Sequence, residues 1–287
     1  MPDMRFAVNG ITVAAKVEGN PAAPCIVLLH GFPDSSKLWN AQVPVLMQHG
    51  FRVVAPDLRG FGQSSKPPDI GAYALRHAQA DVLAVLDALG IDNFYLVGHD
   101  WGSALAWRIA ATVPSRIKRL VAISVGHPGG GWGAGGAKQR SASWYFLLFQ
   151  YEGVAEKLLQ ADDWQLFREF MGPTVNPQDM AAYISDLSRP GALTAGLAWY
   201  RANFHVEHFG ATRPALHMPK VGCPVMGVWS TGDKGLLEPQ MLVSSNFVPE
   251  KLWRYEKIEG AGHWVPRDAP EHLNNLLLQF LPLPQKL

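Results

Sequence analysis

Four short apolar runs, Cys25 to Leu29, Arg52 to Ala55, Phe94 to Val97 and Leu120 to Ser124, alternate with helical stretches in the first part of this chain. A strand that is apolar along its whole length, rather than at every second position, needs cover on both faces. With helical segments such as His77 to Leu89 between the runs, the arrangement that buries them is a parallel sheet with helices on either side. The class is therefore α/β. The opening segment departs from this pattern: Arg5 to Ala14 reads as a hairpin turning at Asn9-Gly10, which adds antiparallel strands at one edge.

The texture changes at His127-Pro128, where a glycine cluster from Gly129 to Gly136 begins. From about Ser141 to Gly210 the chain is aromatic-rich and helical, and strand-like runs return only at Val225 to Trp229 and Lys251 to Ile258, before a closing helix over His272 to Phe280. The economical organisation is one α/β core, residues 1–128 and 218–287, interrupted by a helical cap at 129–217. The glycine cluster is a hinge into that insertion. It is not a phosphate cradle, because no Gly-Lys-Ser/Thr follows it. Gly60-Phe61-Gly62 likewise lacks the third glycine of a dinucleotide fingerprint, and His205 and His208 have no thiolate or downstream ligand with them, so neither a cofactor nor a metal is expected.

Of 287 residues, 48% are hydrophobic and 17% charged, enough for a large buried core. A net charge of +1 offers no footing for nucleic acid or an anionic membrane. No apolar stretch reaches the roughly 18 residues of a membrane span, and Met1 to Lys16 lacks a basic segment followed by an apolar one. Cys25 and Cys223, each opening a strand-like run, read as buried reduced thiols. A cytoplasmic protein, monomer or homodimer, is the expectation.

Chemistry enters at Gly98-His99-Asp100-Trp101-Gly102, between the Phe94 strand and a helix over Ser103 to Ala111. Small-x-nucleophile-x-small in that position is the pattern of a strained elbow that lifts its central side chain clear of the sheet. The central residue is an aspartate. Taken alone, Asp100 could be a helix N-cap; taken as a nucleophile, a desolvated carboxylate attacks a strained or activated saturated carbon, leaving an ester that water can cleave. Such an ester needs a base. His263 lies in Gly260-Ala261-Gly262-His263-Trp264 directly after the last strand, and Asp233 in Ser230-Thr231-Gly232-Asp233 follows the strand before it. Nucleophile, acid and histidine in this order, each after its own strand, suit a triad. His30-Gly31-Phe32-Pro33 follows the Cys25 strand, and the backbone N–H groups of Phe32 and Trp101 are candidates for an oxyanion hole. Asp57 to Ser64 reads as scaffold, and His99 as a hydrogen-bonding neighbour.

In His30-Gly31-Phe32-Pro33, Gly98-His99-Asp100-Trp101-Gly102, Asp233 and Gly262-His263, in matching order over nearly the whole length, the chain resembles the α/β-hydrolase fold epoxide hydrolases. The resemblance implies a small-molecule epoxide as substrate and two cap tyrosines hydrogen-bonded to its oxygen. Trp144 to Gly153 looks like the first tyrosine motif, giving Tyr145, and Ala198 to Phe204 the second, giving Tyr200, with Tyr151 and Tyr183 in reserve. Trp144, Phe146, Phe149 and Trp199 are the expected pocket walls. Dehalogenases of the same fold share the aspartate. Haloalkane dehalogenases usually carry asparagine after His-Gly, where this chain has Phe32, and haloacetate dehalogenases look for arginines where it has Trp101 and Ala104. A silent ligand receptor is a third reading, disfavoured by the complete triad.

Overall fold

The protein is described here by a computed structural model covering residues 4–130, 132–173, 175–210 and 218–283. Its sheet has eight strands: β1 Met4–Val8, β2 Ile11–Glu18, β3 Cys25–Leu29, β4 Arg52–Pro56, β5 Phe94–His99, β6 Ile117–Ile123, β7 Val225–Ser230 and β8 Trp253–Ile258. They lie in the order β1-β2-β4-β3-β5-β6-β7-β8. β1 and β2 pair antiparallel, as does β2 with β4, and every other neighbour is parallel. The hairpin turns at Asn9 and Gly10, both with positive φ, which is the backbone a two-residue turn of matching twist requires. The four apolar runs became the inner strands β3, β4, β5 and β6, and Val225 to Trp229 became β7; β3, β4, β5 and β7 are buried at every residue.

The helices are α1 Gln42–Gln48, α2 Leu75–Ala88, α3 Trp101–Thr112, α4 Gly136–Ala142, α5 Trp144–Leu148, α6 Val154–Met171, α7 Pro177–Leu187, α8 Ala192–Asn203, α9 Glu238–Leu242, α10 Val265–Asp268 and α11 Pro270–Phe280. Between β6 and β7 the described residues contain helices and no strand. Gly131 and residues 211–217, which hold the expected end of the insertion, lie outside the described residues, as does the His208 side chain. Among the described residues no helix is long and apolar enough to cross a membrane. Cys25 and Cys223 are buried free thiols.

The strand order reverses between β3 and β5, since β4 lies to one side of β3 and β5 to the other. In an open α/β sheet the crevice outside the carboxyl ends of such a strand pair is where ligands bind. The β3 end leads into His30 to Pro33 and the β5 end into Asp100. β7 and β8, further along the same parallel edge, lead to Asp233 and His263.

Candidate active site

Asp100 sits on the elbow with φ 54° and ψ −123°. A non-glycine residue held there stores on the order of 1–3 kcal/mol, and such strain gathers at functional sites. The flanking glycines are there for clearance: a Cβ on Gly98 would come within 2.3 Å of the Gly102 carbonyl, and one on Gly102 within 2.1 Å of the Leu29 carbonyl. Asp100 stands at the N-cap position of α3, but its side chain makes no capping bond of the usual kind.

The carboxylate instead faces the crevice. Phe32 N–H donates to Oδ1 of Asp100 at 2.8 Å, and the backbone N–H of Trp101 also bonds this carboxylate. Both expected oxyanion donors therefore converge on one oxygen-bearing group. The Phe32-Pro33 peptide bond is cis. Burial raises the Asp100 carboxyl above the ordinary range, and His263 with the two backbone donors partly offsets that.

His263 Nδ1 lies 2.8 Å from Oδ2 of Asp233, while its Nε2 is 3.8 Å from Oδ2 of Asp100, beyond hydrogen-bond reach. The other Asp233 oxygen accepts from the N–H groups of Gly235 and Leu236. The two loops brace each other: Gly232 N–H donates to the Ala261 carbonyl, and Ser230 Oγ to that of Gly262. His99 donates from Nε2 to the His263 carbonyl at 2.9 Å; burial keeps its imidazole well below the usual pKa, hence neutral. Burial also disfavours charge on His263, but Asp233 and Asp100 outweigh it and lift its pKa to about 9.

Tyr145 and Tyr200 are both buried, their ring centroids 5.9 Å apart. Among the described residues two other buried tyrosines donate to acceptors, Tyr73 to the Pro67 carbonyl and Tyr183 to Asp34. Neither Tyr145 nor Tyr200 has a protein acceptor among the described residues. Burial, and next the Asp100 charge, raises both phenols well above their ordinary pKa, so they stay protonated donors within range of Asp100. The Trp101 indole Nε1 is buried without a well-aligned partner, although it faces the Tyr200 hydroxyl closely enough to favour that phenol's ionised form.

Of the four expected pocket walls, Trp144 and Trp199 are placed differently from Phe146 and Phe149. Trp144 is 45% exposed. On α5 the residues Tyr145 and Phe146 share an inward face with Phe149, one turn on, and Trp144 falls off it. Trp199 is fully buried and donates its indole N–H to the Arg59 carbonyl at 3.0 Å; it backs Trp101 from 5.9 Å and fastens the insertion to the core. Phe146 and Phe149 both pack edge-on against Tyr200 at 4.9 Å. Tyr151, held in reserve, is 64% exposed. Two rings that sequence reasoning missed join this aromatic cluster: Phe170, 4.8 Å from the Tyr145 ring, and Phe32, 5.7 Å from the Tyr200 ring. α6 departs from helical geometry at Ala161–Trp164, which resets the face that carries Phe170, so helical spacing could not have placed it.

A family model described as alpha/beta hydrolase fold matches residues 24–270. The chain is 30% identical to the AB hydrolase superfamily protein YfhM of Bacillus subtilis, over 95% of each chain. It is also 30% identical to epoxide hydrolase 3 of Mus musculus, over 95% of this chain and 74% of that one. A solved structure from work on epoxide hydrolases in hot-environment metagenomes superposes with a TM-score of 0.86 at 28% identity, covering 98% of this chain and 99% of its own.

Proposed function

Because the chain belongs to the α/β-hydrolase fold family, and its relatives include named epoxide hydrolases, we propose that it hydrolyses an epoxide to a vicinal diol through an ester on Asp100. The observation that carries this reading is the pair of buried tyrosine hydroxyls, without a protein acceptor among the described residues, within range of one carboxylate.

Tyr145 and Tyr200 donate hydrogen bonds to the epoxide oxygen. The free Oδ2 of Asp100 attacks a ring carbon from the opposite side. A carbon–oxygen ring bond breaks, its electron pair goes to the oxygen, and a tyrosine proton follows, to be replaced from solvent. Donors aimed at the developing alkoxide are worth most in a dry site, and the rings of Phe32, Phe146, Phe149 and Phe170 supply one. In the second half His263 takes a proton from water at Nε2, and the hydroxide adds to the Asp100 acyl carbon. Negative charge on Oδ1 is held by the Phe32 and Trp101 N–H groups. Collapse breaks the ester bond, the alkoxide takes the proton back from His263, the diol leaves, and the Asp100 acid gives its proton to solvent, restoring the carboxylate. Asp233 fixes the tautomer with the proton on Nδ1 and stabilises the imidazolium. Residues 129–217 act as the cap that closes the pocket.

The haloalkane dehalogenase reading has one observation in its favour, the buried Trp101 indole N–H, a donor suited to a leaving halide. The tyrosines weigh against it, because a departing halide needs no proton. Purified protein given styrene oxide and, separately, haloalkanes decides between them. Diol without halide is the expected result; halide without diol overturns the proposal.

A further inference from the structure

Arg267 stands in α10, one turn past His263, and its guanidinium is shared three ways. Nη2 is 2.7 Å from Oδ1 of Asp34. Nη1 pairs with Oδ1 of Asp179 at 2.9 Å, an ion pair rather than a well-aligned hydrogen bond. The guanidinium carbon also lies 4.8 Å from the centroid of the Tyr183 ring. The second oxygen of Asp34 accepts from the Tyr183 hydroxyl at 3.1 Å. Asp34 is two residues beyond Phe32, whose N–H holds Asp100, while Asp179 and Tyr183 both belong to α7 in the insertion. One cation thus touches the loop that carries the oxyanion donor and the cap, from the segment that carries the base.

We propose that Arg267 is a positioning residue that couples the seating of cap helix α7 to the alignment of the Phe32 oxyanion donor and of His263. It touches no reacting atom. The Asp34 side chain is only 2% exposed, and an unpaired buried carboxylate costs several kcal/mol, so this loop has to follow its partners. Both partners depend on α7. Tyr183 is part of it, and Arg267 divides its charge between Asp34 and Asp179. A shift of α7 therefore alters both bonds to Asp34, and the loop that ends in the Phe32 N–H has to respond. The same guanidinium sits four residues from His263, so the response reaches both donor and base. Burial holds the Asp34 carboxyl up at about 7; Arg267, the Tyr183 hydroxyl and His263 oppose this and Asp179 adds to it. Above neutrality the loop is therefore held by an ion pair, and the clamp is at full strength.

The test compares wild type, Arg267→Met, Arg267→Lys and Asp179→Asn at alkaline pH by amide hydrogen exchange and by kcat and KM on styrene oxide. Asp179→Asn alters only the cap arm, on a partly exposed side chain, and leaves the fold intact even where Arg267→Met does not. Coupling requires that it raise exchange in the peptide over residues 31–39, across the site, as well as in 177–187. It should also lower kcat about tenfold, within the 5–150-fold span of such couplings, with KM changed less. Arg267→Lys should recover part of the kcat that Arg267→Met loses. Faster exchange confined to 177–187, or an unchanged kcat in Asp179→Asn, overturns the clamp. The kinetic arm rests on the epoxide reading. If wild type forms no diol, that reading falls, and the exchange arm still decides the clamp.

Discussion

Replacing Tyr145 and Tyr200 with phenylalanine removes two oxygens and leaves the rest of the pocket in place. The rings keep their contacts with Phe146, Phe149 and Phe170, and with Phe32 and Trp101. Without a protein acceptor for Tyr145, Tyr145→Phe strands no buried partner, so Tm should hold or rise. The loss appears in the transition state. Removing one donor from a developing oxyanion in a dry site costs roughly 10²-fold or more in rate, about 2.7 kcal/mol. Each single variant should therefore slow ring opening by about that factor. With both hydroxyls gone the alkoxide loses both donors assigned to it, and the cost should reach about 10⁴-fold, roughly 5 kcal/mol at 1.36 kcal/mol per tenfold. The assay is single-turnover quenching with styrene oxide, following formation of the ester rather than of the diol. KM should change little, because the aromatic walls that bind the substrate remain. A double variant that forms the ester as fast as wild type, or singles that alter only KM, would refute the role given to these hydroxyls.

Other consequences concern the second half-reaction. His263→Gln keeps a polar side chain beside Asp233 but supplies no base, so the ester should accumulate and the peptide containing Asp100 should gain the mass of the epoxide; an unmodified peptide after turnover conditions contradicts the assignment. The folded-state pKa of His263, about 9 against 6.5 for a free imidazole, means that the charged pair with Asp233 stabilises the fold fully below about pH 6.5 and loses that contribution as pH rises through about 9. Asp233→Asn should remove the larger part of this dependence and leave the part owed to Asp100, as unfolding curves across that window will report. Esterification neutralises Asp100, one of the anions that hold the imidazole up. The pKa that governs ester hydrolysis should accordingly lie below the one found by titrating the free enzyme, and equal values would count against the carboxylate's consumption.

The parts of this molecule legible from sequence are those fixed by local rules. Four largely apolar runs became inner strands because a doubly covered sheet buries them, and Asn9-Gly10 turned the hairpin because its φ angles demand it. Asp100, Asp233 and His263 could be singled out because each follows a strand, and parallel strands bring their carboxyl ends to one edge. Tyr145 and Tyr200 came from resemblance alone; no spacing distinguishes them from core tyrosines. Side-chain direction in the insertion was the weak point. Trp144 and Trp199 are as aromatic as Phe146 and Phe149, yet one faces solvent and the other anchors to Arg59, a choice made by helix rotation and by a partner 140 residues away in the chain. Arg267, Asp34 and Asp179 are far apart in sequence, and ordinary charged residues at turns and helix ends give no sign that they meet.

The central claim is that the Asp100 carboxylate is bonded to the substrate and released by water attacking its own acyl carbon. A single turnover in heavy-oxygen water, with enzyme in excess over epoxide, tests it most directly. The account predicts that one heavy oxygen enters the Asp100 side chain while the first-formed diol carries none. Label in that diol with an unlabelled Asp100 would mean that water opens the ring itself, and would contradict it.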